Sequence, residues 1–378
     1  MNKKMVKIPD VLFFQEGPGV RNNQYTSNGV KLLNVANLVD GKVDLSTSDR
    51  YISENEAYGK YKHFLCDDGD FIVASSGIKV EYIDKKMAFV DKSMLPLCMN
   101  TSTIRFKVLN KEQLNIRYFM YYLKSRSFKS QLFKQITGSA QLNYGPSHLK
   151  RMYIPLLSID EQDYIVYFLD KIQTIIDLRK KQLVSLDKLI KARFVELFGD
   201  PVLNQFGWKK LRFDKICDNL DSRRKPITSS KRTEGIYPYY GASGIVDYVD
   251  DYIFDEDILL ISEDGANLLM RSTPIAFSVS GKVWVNNHAH VVRFDDMSMQ
   301  KYVEVFFSLI DISDSITGSA QPKLNQSKLN AMLIPIPEKT MLNDFLNFLK
   351  QLDKSKFNVN CRNLYSLCIR KVRGTLWP

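Results

Sequence analysis

Apolar residues recur every three or four positions over residues 159–198, and this spacing predicts one long helix. The series consists of Ile165, Leu169, Ile172, Ile176, Leu183, Leu186, Ile190 and Leu197. Arg179 and Arg193 fall at two further positions of the same series. A narrow seam of this kind is typical of a coiled coil rather than of a globular surface helix. About forty residues at ~1.5 Å each predict a rod of roughly 55–60 Å.

The boundaries of this helix are also marked in the sequence. Ser158 can cap its start, and Glu161, three residues later, completes a capping box. The string Gly-Asp-Pro at 199–201 is expected to end it. Seven Lys/Arg and seven Asp/Glu residues balance over 159–198, so we expect a neutral spacer rather than a DNA-binding face.

A second helix is predicted after Pro337, which we place at its first helical position. Its apolar positions are Leu342, Phe345, Leu349 and Leu352, followed by a register shift to Phe357, Cys361 and Leu364. The two long helices occupy equivalent places in the chain, and we expect them to pack against each other in antiparallel orientation.

Each helix follows a block rich in short apolar runs, punctuated by Gly, Asn, Asp and Ser, which are typical of strands and turns. The runs are VKLLNVANL, GDFIVASS and STIRFKVL in the first block and DILLISED, KVWVNN and AHVVRF in the second. Both blocks also contain an aromatic helical stretch. The predicted fold class is therefore α+β, with two similar globular domains and two long helices.

A repeated segment relates the two halves. Residues 136–155 (ITGSAQLNYGPSHLKRMYIP) and 316–335 (ITGSAQPKLNQSKLNAMLIP) are identical at eleven of twenty positions, at an offset of 180. The start of the first block aligns near Lys7 and that of the second near Leu211. We therefore expect a pseudo-twofold internal repeat.

Charge and composition narrow the class of partner. The 378 residues carry a formal net charge of +11, with a pI near 9.2, which favours a polyanionic partner such as nucleic acid. The five cysteines are scattered, and no run is long and apolar enough for a bilayer span. We expect reduced thiols, a cytoplasmic location and no membrane association.

Several strings together carry a family resemblance. They are the T-G-S-A-Q motifs (137–141 and 317–321), the I-P pairs (154–155 and 334–335), PLLSIDEQ at the start of the first helix, LFGDP at 197–201, YPYYGASGI at 237–245 and DEDILL at 255–260. In this order, and duplicated, they resemble the specificity (S) subunit of type I restriction-modification systems.

The resemblance implies an architecture and a function. It implies target-recognition domains at 1–157 and 200–337, a central conserved helix at 158–199 and a distal conserved helix at 338–378. Each domain would read one half of a bipartite, asymmetric site on double-stranded DNA, and the helical rod would set the unread spacer. The chain would perform no chemistry of its own.

The resemblance also implies partners. The helices would dock two copies of an adenine-N6 methyltransferase subunit, and two restriction (motor-nuclease) subunits can join the complex. No cofactor is expected in this chain. S-adenosylmethionine would belong to the methyltransferase, and ATP and Mg²⁺ to the nuclease.

The repeated motif supplies the first candidate DNA-binding residues, namely Thr137, Gly138, Ser139, Gln141, Thr317, Gly318, Ser319 and Gln321. Glycine permits close backbone approach, and the polar side chains offer hydrogen bonds to phosphate. Both halves share the string, so it does not distinguish two half-sites. Phosphate contact and a purely architectural turn both remain open.

Base reading is expected from residues that differ between the halves. The candidates are Arg21, Asn22, Asn23, Gln24, Tyr25, Ser75, Ser76 and Lys79 in the first, and Arg223, Arg224, Lys225, Tyr239, Tyr240 and Ser243 in the second. Arg can bind guanine, Asn and Gln can bind adenine, and Tyr can stack. His288 and His290 share one face of a predicted strand, but no further ligand is spaced to complete a metal site.

Two other classes of protein compete with this interpretation. A self-contained methyltransferase or nuclease would be expected to show its own motifs, yet the chain has no Pro-Pro string and no phosphate-binding G-x-x-x-x-G-K-S/T loop. A coiled-coil scaffold without a DNA role is disfavoured by the basic charge and the polar aromatic loops. Steep salt dependence of duplex binding would separate a DNA reader from a scaffold.

Overall fold

The computed structural model describes residues 4–136, 143–318 and 321–359. The α-helices are α1 Ile8–Val11, α2 Glu54–Tyr58, α3 Ile116–Leu123, α4 Arg126–Gln135, α5 Pro146–Leu149, α6 Ile159–Phe198, α7 Asn267–Met270, α8 Met297–Leu309, α9 Gln326–Ala331 and α10 Lys339–Val359. The strands of the first half are β1 Lys4–Lys7, β2 Leu12–Glu16, β3 Val30–Leu33, β4 Leu38–Val39, β5 Lys42–Val43, β6 Tyr51–Ile52, β7 Phe71–Ala74, β8 Met87–Phe89, β9 Leu97–Met99, β10 Thr103–Val108 and β11 Tyr153–Leu156. The strands of the second half are β12 Lys210–Arg212, β13 Asp218–Asn219, β14 Glu234–Gly241, β15 Gly244–Val249, β16 Phe254–Asp255, β17 Ile258–Ser262, β18 Ala276–Val279, β19 Lys282–Val285, β20 Ala289–Arg293 and β21 Leu333–Pro335.

The chain divides into two compact units, and the division falls within α6 between Asp177 and Leu178. In unit 1, an antiparallel sheet has the strand order β2-β10-β7-β8. Its central strand β7 is buried along its whole length, because the sheet is covered by side chains on both faces. A smaller sheet, β6-β3-β9, contains one antiparallel and one parallel pair.

Unit 2 repeats this topology. Its first sheet has the order β13-β20-β17-β18, again antiparallel throughout, and β17 is buried along its whole length. Its second sheet, β15-β14-β19-β16, contains the same antiparallel and parallel pairing around β14. Each of the six apolar runs predicted as strands contains a strand, although the first also includes a 3-10 helix at Val35–Asn37. The predicted α+β fold with an internal repeat is confirmed.

In each unit, the strand that contains the I-P pair of the repeat forms a sheet with the first strand of the same unit. In unit 1, β1 pairs antiparallel with β11, with Val6 opposite Ile154. In unit 2, β12 pairs with β21, with Leu211 opposite Ile334. The buried isoleucine of each I-P pair anchors the strand in the core. This explains why the same two residues recur at the same place in both halves.

Helix α6 runs over Ile159–Phe198, as the sequence predicts. The Ser158 hydroxyl accepts a hydrogen bond from the Glu161 amide at 3.4 Å, and the Glu161 carboxylate accepts one from the Ser158 amide at 3.1 Å, which confirms the capping box. Gly199 has a positive φ of 79°, so the helix ends at a residue without a Cβ.

The two ends of α6 contribute to different cores. Ile165 and Leu169 pack in the core of unit 1, while Phe194 and Phe198 pack in the core of unit 2. Between these ends the apolar seam residues, such as Ile176, are half-buried, whereas Arg179 is exposed. The seam is thus the least exposed face of the middle of the helix.

Helix α10 packs on the end of α6 within unit 2. Leu342, Phe345 and Leu349 are buried, as predicted. Phe345 contacts Phe198 at a ring distance of 5.4 Å, and Phe348 faces the Arg193 guanidinium at 6.0 Å, so the helices run in opposite directions where they touch. The predicted start of α10 at Pro337 is wrong.

The first helical residue is Lys339, and Pro337 lies in the irregular segment between β21 and α10. Cys361 and Leu364 of the predicted register shift lie outside the described residues, as does the side chain of Phe357. Among the described residues, none of the helices is both long and apolar enough to cross a membrane. The division at 157, 199 and 337 stays a prediction.

We predict that Phe345→Ala lowers the free energy of unfolding of unit 2 by about 3–5 kcal/mol, because it leaves a cavity between α6, α8 and α10. Ile236→Ala is the control: Ile236 is 79% exposed, and its loss should change stability by less than ~0.5 kcal/mol. Urea unfolding followed by tryptophan fluorescence measures this, since Trp208 and Trp284 both lie in unit 2 and Trp377→Phe removes the third. Equal midpoints for the two variants would contradict the packing described here.

Candidate nucleic-acid interface

The segment that follows the repeated motif returns to the same place in both units, at the end of the central strand. In unit 1, the Tyr144 amide donates to the Ser75 carbonyl at 3.0 Å, and Asn143 forms an antiparallel β-bridge with Ser76. In unit 2, the Leu324 amide donates to the Glu263 carbonyl at 2.8 Å, and Lys323 forms an antiparallel β-bridge with Asp264. Residues 75–76 and 263–264 are therefore equivalent, and their side chains differ.

The second copy of the motif forms a closed turn. Thr317 and Lys323 exchange two backbone hydrogen bonds of 2.8 Å. Gly318 has a φ of 84°, and a Cβ at this position would lie 2.6 Å from the Gln321 carbonyl oxygen. The Thr317 hydroxyl also donates to the Lys323 carbonyl at 3.2 Å. The threonine side chain and the glycine backbone thus both serve chain geometry, which favours the architectural interpretation of this copy. Gln321 is exposed beside the turn.

A buried charged cluster lies beneath this turn. His290 is 1% exposed; its Nδ1 lies 2.6 Å from the Asp221 carboxylate and its Nε2 lies 2.8 Å from the Leu324 carbonyl oxygen. Arg224 donates to the Glu263 carboxylate at 2.6 Å, and Lys323 reaches the same carboxylate at 3.1 Å. The cluster ties the repeated motif to β17 and β20.

The charges in this cluster shift the ionisation of its acids. Burial alone would raise the pKa of Asp221, but the hydrogen bond and positive charge of His290 outweigh burial and hold that pKa below its ordinary value. Burial likewise opposes ionisation of Glu263, whose pKa is nevertheless lowered by Arg224, His290 and Lys323.

This cluster also has the spacing of a metal site, since ligand atoms of Asp221, Glu263 and His290 lie within 4.8 Å of one another. Arg224 and Lys323 already neutralise the carboxylates, and both His290 nitrogens face hydrogen-bond acceptors. The residues therefore fit an internal ion-pair network rather than a bound cation.

An open cleft of about 640 Å³, lined by both apolar and polar residues, lies in unit 2. One wall is the turn between β14 and β15, and another is the turn between β19 and β20. The polar residues of its lining are Thr228, Arg232, Ser243, Asp264, Asn267, Asn286, Asn287 and His288. Only Ser243 among these was predicted as a DNA contact.

The structure corrects two predicted contacts in unit 2. Arg224 lies in the charged cluster with its side chain 13% exposed, so its guanidinium is occupied inside the unit. Tyr239 is 1% exposed, and its hydroxyl accepts a hydrogen bond from the Ile227 amide at 2.9 Å. Neither side chain is free to contact a base. Tyr239 instead supports the floor of the cleft.

The other predicted residues of unit 2 are placed differently. Arg223 is exposed but pairs with Glu256 at 2.6 Å and lies over the Phe254 ring at 4.5 Å. Tyr240 is half-buried in β14 near Phe277. Lys225 and Ser243 are exposed, and Ser243 lies at the mouth of the cleft.

In unit 1 the predicted loop separates into a tip and a base. Arg21, Asn22 and Asn23 are exposed at the tip. Gln24 is held at the base by hydrogen bonds to Glu56 and to the Tyr61 hydroxyl, at 2.8 and 3.0 Å. Half-buried Tyr25 stacks beneath Arg50, at 5.2 Å from the guanidinium carbon to the ring centroid.

The second predicted group of unit 1 lies at the end of β7. Ser75 is 1% exposed, so it is not a surface contact, which corrects the prediction. The Ser76 hydroxyl is 2.6 Å from that of Ser102, and Lys79 is exposed. Thr137, Gly138, Ser139, Gln141 and Ser319 of the repeated motif lie outside the described residues.

Two matches to a family model decide the assignment. The model of the type I restriction modification DNA specificity domain matches residues 2–188 and again residues 206–362. The chain belongs to this family. Specificity subunits of type I systems are non-catalytic, so family membership confirms the prediction that the chain is not an enzyme.

Curated relatives agree with the family model. The chain is 32% identical over 173 residues to a protein of Haemophilus influenzae named as a type I restriction enzyme specificity subunit, an alignment that spans 46% of this chain and 41% of that protein. It is 25% identical over 192 residues to the type I restriction enzyme MjaVIII specificity subunit of Methanocaldococcus jannaschii, spanning 50% and 43%. These alignments cover less than half the length of either relative.

Two solved structures from type I restriction-modification systems share the fold. The type I restriction-modification S subunit from M. genitalium matches with a TM-score of 0.57 and 15% identity, covering 100% of this chain and 96% of that one. A chain from a type I restriction-modification complex matches with a TM-score of 0.50 and 14% identity, covering 99% and 95%.

The charged cluster generates a prediction about acid stability. Asp221 and Glu263 have lowered pKa values, so their stabilisation is present above the ordinary carboxylate range and is lost as the pH falls below about 4. Asp221→Asn should destabilise unit 2 by about 3 kcal/mol at pH 7 and flatten this acid dependence.

Urea unfolding of the Trp377→Phe protein between pH 7 and pH 3 measures the effect. Asp255→Asn is the control, because Asp255 is exposed in the same unit. Parallel pH profiles for Asp221→Asn and the unsubstituted protein would contradict a stabilising role for the cluster.

Proposed function

We propose that this chain is the DNA-recognition subunit of a type I restriction-modification enzyme in which each unit reads one half of a bipartite, asymmetric site. The observation that supports this most strongly is the duplication itself. Two units share a sheet topology, but equivalent strand ends carry Ser75-Ser76 in one and Glu263-Asp264 in the other. Related scaffolds with different side chains suit two different half-sites on one duplex.

The continuous helix suits the unread spacer between the half-sites. Helix α6 has forty residues, no interior proline or glycine, and an end packed in the core of each unit. Such a helix resists bending, so it can fix how far apart two recognition surfaces engage DNA. The net charge of +11 supplies general attraction to phosphate.

The partners follow from the same proposal. The substrate is double-stranded DNA, and the helices dock two adenine-N6 methyltransferase subunits, to which two motor-nuclease subunits can be added. S-adenosylmethionine is then bound by the methyltransferase, and ATP and Mg²⁺ by the motor-nuclease. The domain limits 1–157, 158–199, 200–337 and 338–378 describe the recognition domains and helices of this arrangement.

An exposed aromatic stripe on α6 is a candidate for one methyltransferase contact. Tyr164, Tyr167 and Phe168 are 66%, 57% and 44% exposed, and Ile175, about two turns after Phe168, is 57% exposed. They share one face of the helix, at spacings of three, four and seven or eight residues. Clustered exposed aromatic side chains are typical of protein-protein interfaces.

The spacer prediction concerns the middle of α6. Inserting four residues between Leu183 and Ile190 adds about 6 Å of helix, which corresponds to roughly two base pairs of B-DNA. Methylated adenines mapped in a host carrying the variant with its methyltransferase should show both half-sites unchanged and a longer spacer. Altered half-sites with an unchanged spacer would refute the role of α6. An equal insertion in the exposed turn at residues 202–206 is the control for chain length.

The docking prediction concerns the aromatic stripe. The double substitution Tyr164→Ser and Phe168→Ser should reduce copurification of the methyltransferase at least about tenfold, because exposed aromatic anchors contribute ~2 kcal/mol or more to interfaces. Lys181→Ser, at an exposed position of the same helix, should leave copurification unchanged. Undiminished copurification of the double variant, with an unchanged unfolding midpoint, would rule out the stripe as the contact.

A further inference from the structure

The turn between β19 and β20 differs chemically from its equivalent in unit 1. The Ser75 amide donates to the Ser102 carbonyl at 2.8 Å, and the Glu263 amide donates to the His288 carbonyl at 2.9 Å. Residues 100–102 and 286–288 are therefore equivalent turns. Each begins with a buried asparagine, Asn100 at 1% and Asn286 at 6% exposed.

The two asparagines use their side chains differently. Each accepts a backbone hydrogen bond of 2.8 Å through Oδ1, Asn100 from Thr101 and Asn286 from His288. The Nδ2 group of Asn100 donates to Asn34 at 2.8 Å, so it is satisfied inside unit 1. Among the described residues, the Nδ2 group of Asn286 has no hydrogen-bond partner, and Asn286 lines the cleft. Solvent reaches this donor from the cleft, so it can donate to an acceptor that enters from outside.

The last position of the turn also differs. In unit 1, the Ser102 hydroxyl lies 2.6 Å from Ser76 and forms a small neutral pair. At the equivalent place in unit 2, His288 Nδ1 lies 2.9 Å from the Asp264 carboxylate. This contact orients the imidazole, and the side chain of His288 is 50% exposed. Asn287, which lies between Asn286 and His288 in the turn, is exposed.

We propose that residues 286–288, with Asp264 as the positioning residue for His288, form a base-reading site of unit 2 that recognises a purine edge in the major groove. The inference rests on the proposed function and deepens it. The Nδ2 group of Asn286 donates to purine N7, and the amide of Asn287 pairs with a base edge as asparagine does with adenine. His288 adds a ring nitrogen that Asp264 holds towards the cleft.

Unit 1 lacks each of these groups at the equivalent turn, because its asparagine amide is satisfied internally and its pair is Ser76–Ser102. The two turns therefore offer different hydrogen-bonding groups, so we expect them to recognise different base edges. The sequence does not indicate this site, because Asn286 differs from Asn100 in lacking a hydrogen-bond partner for its side-chain Nδ2 group, which only the fold reveals.

The test maps methylated adenines in a host carrying the full chain with its methyltransferase. The variants are Asn287→Ala and the double substitution Asp264→Ser with His288→Ser, which installs the pair that unit 1 already accommodates. Asn343→Ala, an exposed asparagine of α10 outside the cleft, is the matched control. We expect both cleft variants to relax or change bases in one half-site only, with the other half-site and the spacer retained.

Purified complexes give a second readout that does not depend on methylation. Binding to the mapped duplex is compared with binding to duplexes altered in one or the other half-site. Discrimination at the half-site of unit 2 should fall at least about fivefold in the cleft variants, the size of one base contact. Unchanged motifs and unchanged discrimination in both variants would overturn the inference while leaving the two-part site intact. If the unsubstituted chain yields no two-part site, the proposed function fails and this inference with it.

Discussion

The structure depends on one uninterrupted helix whose two ends are built into two different cores. Ile165 and Leu169 are buried in unit 1, and Phe194 and Phe198 are buried in unit 2, where Phe345 of α10 packs against both phenylalanines. Removing either end from its core would expose large apolar side chains to water. Each end of the helix is thus anchored by burial in the core of its own unit.

The repeat separates what the two units share from what they do not. The shared residues that the structure describes have architectural roles: the I-P strands pair with the first strand of each unit, and in unit 2 Gly318 adopts the positive φ that its turn requires. The differing residues lie at the strand end on which that turn docks. One sheet topology therefore carries different side chains at equivalent strand ends of the two units.

Much of the fold could be predicted from the sequence, because its signals are local. The seam of α6, its capping box and its terminal glycine act within a few residues of one another, and the buried strands are continuous apolar runs. The site was harder to predict. Arg224 and Tyr239 have the composition of DNA contacts, but Glu263 and Ile227, distant in sequence, occupy their polar groups. Polarity in a sequence does not show whether a partner lies inside the fold.

We propose that two unlike recognition units engage one duplex at a set distance from each other. Genome-wide mapping of methylated adenine in a host that carries the unsubstituted chain with its methyltransferase tests this most directly. We expect a single motif made of two different defined parts, separated by a constant number of unspecified base pairs. A continuous motif, a palindromic one, or two parts at variable separation would contradict it.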